Sequence, residues 1–202
     1  MIFSLKLRGT AAVGIFSTLL WSVAAATGAS LDNDQVRRLR AGEVLISVTP
    51  DPEGATGLVE ATVDIAAPPS AVWDVMLDCE RSKRMIPSLK TCRVMSQTAD
   101  ARWDVREHVV QWIWPLPPVR SVFRSEYTPF RQIAFELVEG DLAFLKGAWT
   151  LEALRDGAAT RLSYRARISP GWPVPGPLVR SAIEADVPKT LIALRREATG
   201  RE

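Results

Sequence analysis

Between Val59 and Val94 the hydrophobic period of the chain changes twice. Val59 to Ile65 (VEATVDI) alternates apolar and polar positions, as a half-buried strand does, and Val72, Trp73, Met76 and Leu77 then recur at helical spacing. Pro68 and Pro69 stand just ahead of that apolar face, where proline suits a first helical turn because the amides there have no intrahelical acceptor. An amphipathic helix lying on a sheet is the expectation. Asp78 to Arg84 (DCERSKR) reads as a solvated charge run, Pro87 prevents simple continuation of a helix, and strand character resumes at Leu89.

Upstream, Leu31 to Arg40 (LDNDQVRRLR) has acids early and bases late, which suits the dipole of a short helix ended by Gly42. Glu43 to Thr49 is strand-like, Pro50 to Gly57 is turn material, and Leu58 to Ile65 completes a hairpin. Downstream, Leu89 to Ser96, Trp103 to Trp114, Val119 to Thr128, Phe130 to Glu139, Ala143 to Leu154 and Ala159 to Ser169 all read as extended. The breaks between them are short, so consecutive strands are antiparallel neighbours. Leu178 to Arg196 then reads as a long helix with Leu178, Ala182, Ile183, Leu191, Ile192 and Leu194 on its apolar side. Pro188 predicts a kink or a break within it. No internal repeat and no second domain is apparent.

The first thirty residues belong to a different class. Lys6 and Arg8 precede an uncharged run with an apolar centre from Val13 to Val23, and small residues follow from Ala24 to Ala29. That order is a secretory leader with cleavage near Ala26 or Ala29. The competing expectation is an uncleaved membrane anchor, since the uncharged run approaches the ~20 residues a bilayer needs. Losing Lys6 and Arg8 leaves 23 basic against 23 acidic residues, so net charge supports no attraction to nucleic acid or anionic membrane. Cys79 and Cys92 both survive cleavage. Export favours a disulfide between them, and two buried free thiols are the alternative.

Little catalytic chemistry is written into the chain. His108 is the only histidine and no CxxC is present, so no metal site or cofactor is expected, and there is no Gly-rich phosphate loop or Ser/His/Asp set. His108 sits mid-strand in register with Val110 and Trp112 and is a weak candidate for a general acid or base. Arg106, Arg120, Arg124, Arg161, Arg165 and Arg167 read as a solvated ladder paired with Glu107, Glu126 and Glu136, with room for one arginine at a cavity mouth. Trp112 to Pro118 is an apolar hairpin tip that either touches a membrane, closes over a cavity, or is core.

The segment IAAPPSAVWDVMLDCERSKRMIPSLKTCRV, with GAWTLEAL at Gly147 to Leu154 and ATRLSYRARISPGWPVP at Ala159 to Pro175, resembles the START-like SRPBCC superfamily. The likeness is nearest to its polyketide cyclase/dehydrase and coenzyme-Q-binding branch, and it runs from about Leu58 to Arg196. It implies an α+β helix-grip fold: a curved antiparallel sheet around a long C-terminal helix, with two short helices after the first core strand. It divides the chain into a leader (1–30), a helix-and-strand extension (31–57) and the START-like domain (58–197). It also implies a cavity between sheet and helix, lined here by Trp112, Phe123, Phe135, Trp149, Tyr164, Ile183 and Leu191. Each of these has a plain core role as its alternative. The expected function is an exported, periplasmic protein that binds or carries a lipid, an isoprenoid quinone or another apolar small molecule. A cyclase or hydrolase acting in the same cavity, or a stabilising partner of an envelope complex, are the alternatives.

Overall fold

The computed structural model describes residues 31–112 and 114–200, so the leader expected over 1–30 lies outside the described residues. Helix α1 (Asn33–Arg40) opens on a capping box, in which the Asp32 carboxylate accepts from the Gln35 amide at 2.7 Å and the Gln35 side chain accepts from the Asp32 amide at 3.0 Å. Strands β1 (Val44–Thr49) and β2 (Gly57–Ile65) form the hairpin, and α2 (Pro69–Leu77) begins on its prolines and buries Val72, Trp73 and Val75.

The charge run forms the second of the two short helices, α3 (Cys79–Met85), with Glu80, Lys83 and Arg84 exposed. Asp78 caps it by accepting from the Glu80 and Arg81 amides at 2.8 and 3.1 Å. Glu80 in its first turn and Lys83 and Arg84 in its last complement the dipole, while Ser82 and Met85 turn inward and are buried.

Six strands follow: β3 (Leu89–Gln97), β4 (Trp103–Val110), β5 (Val119–Thr128), β6 (Gln132–Gly140), β7 (Leu142–Leu154) and β8 (Ala159–Pro170). With the hairpin they make one antiparallel sheet in the order β1-β2-β8-β7-β6-β5-β4-β3. The 31–57 extension therefore adds an edge strand to the sheet. Strand β4 stops at Val110 and not at Trp114, because the Pro-rich connection supplies few amides for a ladder and the Gln111 side chain turns to the Leu116 carbonyl at 2.6 Å. The Trp114–Pro115 peptide is cis.

Helix α4 (Gly176–Thr199) packs on β1, β2, α2 and α3 and runs unbroken through Pro188. Proline removes one helical hydrogen bond there, and the burial of Ile183, Leu191 and Leu194 on both sides holds the helix through it. Two buried clusters fill the interior. One joins Val63, Ile65, Val72, Trp73, Leu162, Leu191 and Leu194 under α2, and the other joins Val59, Leu89, Val110, Leu142, Ile168 and Ile183 toward the start of α4. On the outer face, arginines pair as a ladder: Arg120 with Glu107 and Glu139, Arg124 with Glu126, Arg161 with Asp64, Arg165 with Glu60, and Arg167 with Asp51 and Glu53. Arg106 is the exception, since its side chain points inward and is buried.

Candidate functional site

A hollow of about 210 Å³ lies between the concave face of the sheet and α4. The period of two along each strand sends alternate side chains into it: His108 and Val110 from β4, Ser121 and Phe123 from β5, Phe135 from β6, Leu145 and Trp149 from β7, Tyr164 and Ile168 from β8. Helix α4 contributes Ile183, Asp186, Val187 and Thr190, the i, i+3, i+4, i+7 stripe that faces the sheet.

The rings are in contact from strand to strand. His108 meets the edge of Phe123 at 4.9 Å, Phe123 meets Phe135 at 6.1 Å, Phe135 stacks on Tyr164 at 6.0 Å, and Tyr164 tilts against Trp149 at 4.2 Å. These pairs lock one another's rotamers, so the wall is preformed. Gly147 makes room for it. A Cβ at that position would stand 2.7 Å from the Phe135 ring and 2.4 Å from the Arg165 carbonyl oxygen, so any larger residue would displace the ring or the β8 backbone.

Six of the seven residues expected to line the cavity do so: Trp112, Phe123, Phe135, Trp149, Tyr164 and Ile183. Leu191 does not. It is fully buried in the packed cluster with Val63 and Leu162, because the lining stripe of α4 reaches Thr190 and the next position turns toward the solid core. A second hollow of about 100 Å³ shares His108 and Phe123 with the first and is lined by Arg106, Tyr127, Met85 and Leu194. A third, of about 40 Å³, shares Trp112, Leu142 and Ile168 and is bounded by Leu116, Pro117, Trp172, Val174 and Val179. The hairpin tip thus takes part in closing the cavity through Trp112, Leu116 and Pro117, while Trp114 beside it is 86% exposed.

Four polar side chains of this wall were not foreseen: Ser88, Ser121, Asp186 and Thr190. Ser88 donates to the Asp186 carboxylate at 2.7 Å, and the Thr190 hydroxyl donates to the Asp186 carbonyl at 3.1 Å. The available signal was an acid at position 186 inside the apolar stripe that holds Ile183 and Val187. Arg106 leaves the outer ladder and lines the second hollow. It pairs with Asp104 at 2.7 Å and donates to the Leu77 carbonyl at 3.2 Å and the Tyr127 hydroxyl at 3.1 Å, so it ties the end of α2 to β4 and β5.

His108 stands in the wall with its Nε2 buried and without a hydrogen-bond partner. Burial pushes its pKa down from 6.5 to about 4, with the Arg106 charge adding to the effect and Asp104 opposing it. Burial likewise pushes the Tyr164 hydroxyl up. Both are neutral at physiological pH. Because the unfolded chain takes the histidine proton first, this contribution to stability is full above about pH 6.5 and is lost as pH falls toward 4, by about 2–3 kcal/mol. The difference in urea midpoint between wild type and His108→Phe should therefore be flat above pH 7 and shift against the wild type between 6.5 and 4. Glu107, the next residue on the strand, is held below the usual carboxylate range chiefly by its hydrogen bond from Arg120 against the cost of burial, and because both proteins carry it, its titration cancels in the difference. A pH-independent difference would show that His108 is hydrated in the fold.

Cys79 and Cys92 are joined as a disulfide with Cα atoms 5.3 Å apart, which ties the first turn of α3 to β3. Among the described residues no cluster of potential ligands could hold a metal ion, and no helix is long and apolar enough to cross a membrane.

Comparison with solved structures places this architecture among known folds. The Zhui aromatase/cyclase from a Streptomyces species superposes with a TM-score of 0.61 at 19% identity, over 70% of this chain and 93% of that one. A STAR-related lipid transfer protein from Xanthomonas axonopodis gives 0.60 at 19%, over 76% and 98%. Human StAR-related lipid transfer protein 5 gives 0.63 at 15%, over 82% and 90%. These likenesses establish the helix-grip fold. No curated protein matches the chain in sequence. The family model described as polyketide cyclase / dehydrase and lipid transport matches residues 65–195, from the end of β2 through most of α4, and the chain belongs to that family.

Proposed function

We propose that this protein is an exported carrier or receptor that takes an apolar small molecule, a lipid or an isoprenoid quinone, between its sheet and α4. The observation that carries the reading is the aromatic-walled hollow of about 210 Å³, which shares wall residues with two smaller ones. Its volume is below the ~300 Å³ at which drug-sized pockets begin. It therefore suits one small ring system or part of a longer chain, the rest of which would leave past Trp112 and Trp172. Two of the similar structures bear the name lipid transfer protein, which favours carriage, and the Cys79–Cys92 disulfide favours an oxidising compartment.

Catalysis in the same cavity is the second reading, and its support is His108, a neutral imidazole with a free Nε2 in the wall. No acid or nucleophile among the described residues is hydrogen-bonded to it, so binding is favoured. Native mass spectrometry of protein purified from its own host is expected to show an apolar adduct that organic extraction releases. Protein that is repeatedly empty and also refuses quinones, isoprenoid alcohols and polyaromatic compounds would overturn the proposal.

A further inference from the structure

The polar groups of the cavity are few, and their signs are unequal. Among the described residues the wall of the main hollow contains no lysine or arginine, and its ionisable side chains are His108, Tyr164 and Asp186. Arg106, which lines the adjoining hollow, is already committed to the Asp104 carboxylate, the Leu77 carbonyl and the Tyr127 hydroxyl. An anionic head group entering this space would face the Asp186 carboxylate with no free cation to offset its lost hydration. A bare hydrocarbon would leave the buried Nε2 of His108 unsatisfied. A hydroxyl answers both conditions, since it carries no charge and both donates and accepts.

We propose that the cavity selects an apolar ligand bearing an uncharged hydroxyl, such as an isoprenoid alcohol or a phenol, and rejects carboxylates and phosphates. His108, and the Ser88 and Asp186 pair, are the groups that meet that hydroxyl; Ser88 already donates to Asp186 at 2.7 Å, which leaves the other carboxylate oxygen as acceptor. An ammonium group would gain from Asp186, but its desolvation in an aromatic-walled space opposes it. The inference rests on the apolar-ligand reading given above and narrows it to one chemical class.

Geraniol, geranic acid, geranylamine and a matched hydrocarbon share nearly one skeleton and differ at the head. Their binding to the full chain at pH 7 can be followed by calorimetry and by the fluorescence of Trp149 and Trp112, both in the wall. Geraniol is expected to bind at least ~10-fold more tightly than geranic acid. Asp186→Asn, nearly isosteric and able to keep the Ser88 hydrogen bond, should raise affinity for the acid ~10-fold or more and change that for geraniol little. His108→Phe should weaken geraniol and leave the hydrocarbon unchanged. An acid that binds as tightly as the alcohol, an amine that binds tightest, or an acid-to-alcohol ratio untouched by Asp186→Asn each overturns the selectivity while leaving apolar binding in place. Refusal of all four compounds removes both.

Discussion

Replacing Arg106 by methionine is expected to lower the unfolding free energy by about 3–5 kcal/mol, as is usual when one partner of a buried ion pair is removed. Arg106 is 7% exposed and Asp104 3%, and two guanidinium nitrogens donate to the same Asp104 oxygen at 2.7 and 2.8 Å. The second oxygen, Oδ1, has no partner, so the pair already depends on Arg106 alone for its compensation. Methionine keeps much of the volume but strands the carboxylate, the Leu77 carbonyl and the Tyr127 hydroxyl together. Urea unfolding at pH 7 measures the loss. Adding Asp104→Leu to Arg106→Met should recover most of it, because the charge and not the shape is what becomes uncompensated. A single-variant loss below about 1 kcal/mol, the range of solvated pairs, would show that water reaches the pair.

The second large effect concerns the wall between α3 and β3. The disulfide closes a loop with a sequence separation of 13, and a loop of that size is worth ~3 kcal/mol in the chain-entropy account, within the 2–5 kcal/mol typical of a native bridge. Cys79→Ala/Cys92→Ala should lose about that much stability, and reductant should bring the wild type to the same midpoint while leaving the double variant unmoved. Because Ile86 and Met85, just beyond the clamp, line these hollows, amide exchange in α3 should accelerate first. If reduction leaves the midpoint in place, the closed loop contributes nothing and local packing alone holds α3.

Most of the architecture could be read in the linear order of apolar positions. Period-two runs marked the strands to within a few residues, and the helix at Val72 to Leu77 was visible in its spacing. Asp78 to Arg84 carries five charges in seven residues and keeps most of them in solvent, and a capped helix still forms there because Ser82 and Met85 are enough to anchor it. Arg106 looked like one of a ladder of arginines, but its odd-and-even phase in β4 matches His108 and Val110, not Glu107. The same phase was available for His108, and it is the surroundings, not the position, that decided its chemistry.

By itself the sequence determined which residues alternate, which recur every third or fourth position and where prolines and caps interrupt them, since these follow from backbone geometry and nearest neighbours. It determined that aromatic residues would share one face of the sheet. Only the tertiary structure decided that Thr190 lines the main hollow and Leu191 belongs to solid core, that Arg106 is satisfied internally, and that Asp186 stands in the wall with no lysine or arginine beside it among the described residues. Those outcomes depend on how α4 is seated against strands far away in the chain. Burial and charge compensation are properties of that contact, and no local pattern contains them.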